Sequence, residues 1–241
     1  MAEFPAAQPH GGFEEVFPDV FVVRGTFKSG PLLAITRNMT VVRTGGELTL
    51  LNSVRLSAAG LDELRKLGTP RHVVRVGDFH GLDDGWYQKE LGLTLWSAAT
   101  ARARGTERPD RGLVAGTGGP IPGATVFAFE RGKRPEFAVL IPREGGILVT
   151  CDSVQNWADF DGCSFLMKSM MKAMGFGARA QLGPIWKKEL EGGEKGSLAK
   201  DFARLLELEW RHMLSGHGAP LRGTAKEDLR VQVKKEFGLS S

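Results

Sequence analysis

Cysteine is scarce: the 241 residues include only Cys151 and Cys163. Two such residues make neither a disulfide framework nor a CxxC pair. Long apolar runs are missing too. None approaches the roughly 18 residues needed to cross a bilayer, so no integral membrane segment is expected. The opening Met1-Ala2-Glu3-Phe4-Pro5 lacks a basic n-region and an apolar h-region. No secretory signal is read from it, and the expectation is a cytoplasmic protein with reduced thiols. Nor does one sign of charge dominate. Lys and Arg number 32 against 28 Asp and Glu, a formal net charge of +4, and residues 1–120 hold 14 basic and 13 acidic side chains. A nucleic-acid binder concentrates its basic residues on one face, so nucleic acid is not expected as a partner. What remains, 41% hydrophobic and 25% charged residues, is the composition of an ordinary globular chain, not a disordered one.

Along the chain, strand-like and helix-like patterns alternate. Val20–Val23 and Met39–Thr44 read as strands, and Gly45-Gly46 turns the second into Leu48–Ser53, a hairpin signature. Ser57 is placed to cap a helix over Ala58–Leu67, which Gly68 and Pro70 stop. A strand follows at His72–Val76. Residues 102–123, rich in Arg, Gly and Pro, read as surface loop. Thr125–Phe129, Phe137–Ile141 and Ile147–Thr150 are three more strands. Cys163–Phe176 is apolar, with Met167, Met170, Met171 and Met174 at helical spacing. Leu198–Leu208 is amphipathic, and Thr224 with Glu227 reads as the capping box of a last helix. Strands, then βα alternation, then helices indicate a layered α/β domain.

Polar residues of the kind that do chemistry fall at strand ends. Asp78, His80, Asp83 and Asp84 follow one strand, Asp152 another, and His217 a third. In α/β folds ligands gather beyond strand ends, and carboxylates with imidazoles hold divalent metals of N/O preference.

These motifs, in this order, resemble the metallo-β-lactamase fold superfamily. Val16–Gly25 is similar to its first strands, and Gly77–Gly85 stands in the place of its His-x-His-x-Asp-His loop. Gly119-Pro120-Ile121-Pro122-Gly123 resembles its Gly-His-Thr-Pro-Gly turn, Thr150-Cys151-Asp152 its bridging aspartate, and Ser215–Gly218 its last metal-binding histidine. Arg37–Arg43 and Leu67–His72 look like an uncharacterised bacterial branch with altered ligands. The resemblance implies an α/β fold, a four-layer αββα sandwich, over one domain spanning 1–241. Residues 1–15 are read as an N-terminal extension and 161–200 as a helical insert or lid.

The departures are specific. Only His80, Asp152 and His217 match residue for residue. Asp78 replaces the first loop histidine, Leu82 the loop aspartate, Asp83 the next histidine, and Pro120, which has no donor atom, the turn histidine. The resemblance therefore implies a depleted metal site drawn from Asp78, His80, Asp83, Asp152 and His217. One divalent ion (Zn, Fe or Mn) is expected rather than two, or none. Asp84 is the spare carboxylate for general-base work. The activity implied is a metal-dependent hydrolase acting on a small-molecule ester, lactone, thioester or phosphoester. The alternative is an inactive relative that keeps the fold and pocket for binding.

Trp86 and Tyr87, directly after the loop, are read as substrate-pocket residues or, equally, as core anchors. Cys151 is expected to be an inert buried thiol, and neither it nor Ser53 has a histidine partner that would make a triad. Residues 163–188 carry five Lys or Arg and no acid. They are read as a packed helix with a basic edge, with a lid, a membrane-surface helix or a partner face as the other readings. A homodimer is compatible with such a face.

Overall fold

The computed structural model describes residues 4–28, 30, 32–101 and 108–238. The first sheet is built in sequence order from β1 (Glu14–Phe17), β2 (Val20–Lys28), β3 (Ala34–Thr44), β4 (Glu47–Leu51), β5 (Thr69–Val74), β6 (Thr94–Ser97) and β7 (Arg111–Gly112). Its first half is antiparallel. Gly45 and Gly46, with φ of 57° and 84°, close the β3–β4 hairpin in the left-handed conformation that a two-residue turn demands. Its second half, β4 to β7, is parallel. A parallel return needs a crossover, supplied by α1 (Ala58–Leu67) between β4 and β5 and by α2 (Asp84–Glu90) between β5 and β6. Ser57 caps α1 as its sequence implies, its hydroxyl accepting the Gly60 N–H at 3.2 Å. Residues 9–11 run along β2 ahead of β1, with Gly11 N–H donating to the Arg24 carbonyl.

The second sheet begins as a meander of β8 (Thr125–Ala128), β9 (Phe137–Ile141) and β10 (Ile147–Thr150). A short ribbon of β11 (Val154–Gln155) and β12 (Gln181–Leu182) flanks α3 (Phe165–Ala173). After α4 (Pro184–Glu191) and α5 (Ala199–Glu207), β13 (His212–Ser215) returns parallel to β10, and α6 (Ala225–Phe237) follows.

Apolar residues divide into layers by strand alternation. Val20, Val22, Val42 and Val74 of the first sheet meet Val126, Val139, Val149 and Leu214 of the second in a central core. The alternate residues, Phe21, Val23, Met39, Val41 and Val73, pack under Leu64 of α1 and Tyr87 of α2. On the far side Phe127, Leu148 and Met213 pack against Trp186 of α4, Phe202 of α5 and Leu229 of α6. Helices, sheet, sheet, helices: the four-layer α/β sandwich is the result. A satellite core of Trp157, Phe160, Met167 and Met171 lies under α3. Among the described residues no helix is long and apolar enough to cross a membrane.

Three local readings need correction. Arg111–Gly112, read as loop, pairs with β6 as an edge strand, while residues 102–107 of that stretch lie outside the described residues. The strand read at His72–Val76 starts earlier, at Thr69, and ends at Val74. The capping box at Thr224 does not form. Thr224 Oγ1 donates to Asp228 and accepts from Arg179, and Glu227 pairs with Arg230.

Candidate metal centre

β10 and β13 are parallel neighbours, so the loops that leave them emerge at the same end of the second sheet, one carrying Asp152 and the other His217. The loop after β5 brings His80 from the first sheet. Two buried amides tie the sheets together here. Asn38 Nδ2 of β3 donates to the carbonyls of Ser215 and Gly218, at 3.0 and 2.6 Å, and Asn52 Nδ2 donates to the Thr150 carbonyl at 2.8 Å. Gly218, with φ +78°, lies against the Asn156 backbone with no room for a Cβ, which sets the turn behind His217.

The three side chains converge. His80 Nε2 and His217 Nε2 are 3.0 Å apart, and each is 3.4 Å from a different oxygen of Asp152. Among the described residues they form the one group of three or more His, Cys, Asp or Glu close enough to share an ion. His217 Nδ1–H donates to the Thr36 carbonyl at 2.7 Å, which turns the Nε2 lone pair toward the centre. Its ring stacks on Trp157 at 5.6 Å. Burial, which outweighs the attraction of Asp152, lowers His80 to about 4, so its imidazole is a neutral donor near pH 7. Burial pushes Asp152 the other way from where it ends. The imidazoles and the Gln155 amide hold it down to about 2, as a carboxylate.

Two further residues position this centre. Gln155 Nε2 donates to Asp152 Oδ1 at 2.7 Å, while its Oε1 accepts the Trp157 indole N–H at 2.6 Å. Buried Glu136 accepts the N–H groups of Asp152 and Ser153 on one oxygen, and burial raises its carboxyl well above the ordinary range. The sequence offers only a faint signal for Gln155, a polar residue three positions after Asp152. For Glu136 it offers none.

The rest of the β5 loop is arranged otherwise. Asp83 is buried beneath α2, bound to Arg37 at 2.6 Å and to the Arg55 backbone N–H at 3.0 Å. Burial raises its pKa and Arg37 works against the rise. Asp84 is buried with one oxygen on Arg75 Nε and the other on the Ser53 hydroxyl, both at 2.6 Å. Asp78 is buried, with its N–H on the Pro135 carbonyl, and lies outside the three-residue group. The structure thus brings together three of the five candidate ligands and gives Asp83 and Asp84 to arginines. Tyr87 is fully buried, donating to the Val54 carbonyl, and Trp86 lies under the Arg55 guanidinium. Neither lines the cavities at the centre. Cys151 is buried against it and burial pushes its thiol up.

Two cavities, about 240 and 220 Å³, adjoin at Ile35, Phe79, His80 and His217. The first also takes in Asp152, Trp157 and Ile185; the second is bounded by Arg37 and Leu82.

No family model and no curated relative matches the sequence. Solved structures do. The crystal structure of VMB-1 superposes with a TM-score of 0.67 at 14% identity, over 92% of this chain and 96% of that one. The metallo-β-lactamase FIM-1 from Pseudomonas aeruginosa, crystallised in a mono-zinc form, gives 0.64 at 14% identity over 96% and 97%. A metallo-β-lactamase from Pontibacter korlensis gives 0.59 at 11% identity over 92% and 98%. Near-complete coverage in both directions leaves no large element unmatched, and the chain has the metallo-β-lactamase fold.

Proposed function

We propose that this protein is a metal-dependent hydrolase of the cytoplasm that holds one divalent ion on His80, Asp152 and His217. The observation that carries this reading is the spacing of the three donors. Bonds of about 2.0–2.2 Å to a four-coordinate ion put neighbouring ligand atoms about 3.3 Å apart. Here the two Nε2 atoms are 3.0 Å apart, each lies 3.4 Å from one oxygen of Asp152, and one ligand atom from each of the three residues lies within 4.8 Å of the others. Two imidazoles and one carboxylate suit Zn²⁺, and equally Fe²⁺ or Mn²⁺. An ion so held supplies Lewis acidity, which polarises a carbonyl or phosphoryl oxygen and acidifies water.

The chain's own residues account for the rest. Thr36 and Trp157 fix the His217 ring, and Gln155 fixes the Asp152 carboxylate. Phe79, Trp157 and Ile185 give the cavity apolar walls that exclude water around an acyl group. Substrates are esters, lactones, thioesters or phosphoesters small enough for that cavity. One ion rather than two follows from Arg37. Its guanidinium neutralises Asp83, one of the other carboxylate candidates, and keeps a fixed positive charge on the wall beside both imidazoles.

Metal analysis of purified protein tests the reading. Near-stoichiometric metal is expected in the wild type and loss of it in His217→Ala and Asp152→Ala. A wild type without metal would overturn it, in favour of a fold kept for binding alone.

A further inference from the structure

The two cavities at the metal centre differ in charge. Both reach His80 and His217. Among the described residues the first has no Lys or Arg on its walls, which include Trp157, Phe176 and Ile185. The second has one, Arg37, and otherwise apolar walls such as Phe27 and Leu82. Arg37 comes from β3, and its side chain is nine-tenths buried. Asp83 takes one of its nitrogens at 2.6 Å but lines neither cavity, so of this pair only the cation borders the open space. The Nε–H of Arg37 is buried and, among the described residues, meets no acceptor. Buried donors are rarely left so. A guanidinium that has lost its hydration regains the loss from an acceptor, best a charged one.

The amount of charge selects the ligand. One guanidinium, already shared with Asp83, matches a single negative charge. A phosphate dianion calls for further cations, and among the described residues the second cavity has no other Lys or Arg. A carboxylate is planar and monoanionic, and its two oxygens suit the donors of a guanidinium. The second cavity, about 220 Å³, has room for it with a short methylene chain. We propose that Arg37 binds a carboxylate. The molecule that occupies this site has an apolar group in the first cavity, a free carboxylate in the second, and the group to be cleaved where the cavities adjoin, at His80 and His217.

That a group is cleaved there rests on the hydrolase reading; the carboxylate site does not. On that reading the substrate narrows to a half-ester or half-thioester of a dicarboxylic acid, one carboxyl esterified and the other free. In its hydrolysis the oxygen of water joins the acyl carbon and the bond from that carbon to the apolar leaving group breaks. One proton of the water goes to the leaving atom and the other to solvent. Arg37 takes no part in these steps. It holds the acyl end in place, so its loss should appear in KM more than in kcat.

Two measurements test the proposal. Binding is read by NMR titration of the full chain carrying Asp152→Asn, which is expected to hold no metal and has no competing carboxylate. The probes are pentanoate and its neutral counterpart pentanamide. Pentanoate should bind at least about tenfold more tightly. Adding Asp83→Asn should widen that ratio about threefold, because the guanidinium loses its counter-charge. A guanidinium present only for packing would give neither result. Arg37→Met with Asp83→Asn removes both charges together and should bring the ratio to about one. Circular dichroism checks the fold, and Arg37→Gln with Asp83→Asn serves if methionine disturbs it. A ratio near one before these substitutions, or one that survives them, overturns the proposal. Turnover is read on metal-loaded wild type with monophenyl glutarate against phenyl pentanoate, esters of equal acyl length, each corrected for uncatalysed hydrolysis. kcat/KM should favour the glutarate at least about tenfold, chiefly through KM, and Arg37→Met with Asp83→Asn should abolish the preference. Equal turnover of both esters overturns the carboxylate site and leaves the hydrolase reading standing. Tighter binding of pentanoate with no turnover of either ester sustains the carboxylate site and removes the hydrolase reading.

Discussion

The loop after β5 and the pair of loops after β10 and β13 draw on the same side chains and put them to different use. The β5 loop holds Asp78, His80, Asp83 and Asp84, and only His80 reaches the centre. The loops of the second sheet hold one candidate each, and both reach it. The difference lies in which partner meets each carboxylate. Asp83 and Asp84 meet guanidinium groups under α2, where two charges of opposite sign leave water together. Asp152 meets two imidazoles and an amide, which stabilise its charge without cancelling it. A carboxylate already neutralised at 2.6 Å has little left to offer a cation, whereas one held by dipoles keeps its full charge. The acidic residues thus divide by loop: Asp83 and Asp84 after β5 are held by arginines, while Asp152 after β10 lies with the imidazoles.

Substitutions that separate the two sets should give opposite outcomes. The largest effect is expected at Asp84→Asn. Removing one charge of a fully buried pair costs about 3–5 kcal/mol, so denaturant unfolding should show a large loss of stability while metal content stays at the wild-type level. Parallel loss of metal would put Asp84 in the centre instead.

The next effect is a pH dependence that belongs to His80. Its folded pKa is about 4 and its ordinary value 6.5, so between these the unfolded chain binds a proton that the folded chain refuses. Metal-free protein should lose up to about 3 kcal/mol as pH falls from 6.5 toward 4 and regain it as pH rises. His80→Asn should flatten that window; an unchanged slope would assign it elsewhere.

Gln155→Ala probes the amide that replaces arginine as the partner of Asp152. The three donors remain, but the carboxylate loses its orientation, and metal affinity by calorimetry should fall about 10- to 100-fold. An unchanged affinity would show that the imidazoles alone position Asp152. The smallest effect on metal binding is expected from Arg37→Met, which breaks a buried pair at a cost in stability like that at Asp84 and turns a structural carboxylate into an available one. Metal titration should then reveal a weak second ion that is absent from the wild type and from Arg37→Met with Asp83→Asn. A stoichiometry that stays at one in all three would remove the guanidinium as the cause.

Much of this could be read in advance wherever the controlling interactions are local. α1 runs over Ala58–Leu67 as its apolar spacing and Ser57 indicate, and Phe137–Ile141 and Ile147–Thr150 are strands at the expected bounds. His80, Asp152 and His217 stood out because each follows a strand, and strand ends are where such folds expose side chains. The failures have long-range causes. At Thr224 the cap is lost to Arg179, which is 45 residues away and takes the hydroxyl that would have capped α6. Asp83 looked like a ligand because nothing near it in sequence reveals that Arg37, on β3, lies against it. On α3 the methionine spacing marked a helix, and the number of its faces that find cover depends on what Trp157 and Phe160 bring beneath it.

Alternation along the strands, the glycine turn at 45–46 and the residues that close each strand were determined by the chain itself, because period and backbone freedom are properties of neighbours. Which acids keep an unpaired charge was decided only by the packed structure. That outcome depends on distances of a few ångströms between residues as far apart as Arg37 and Asp83, or Thr36 and His217, and on burial, which makes each such contact exclusive.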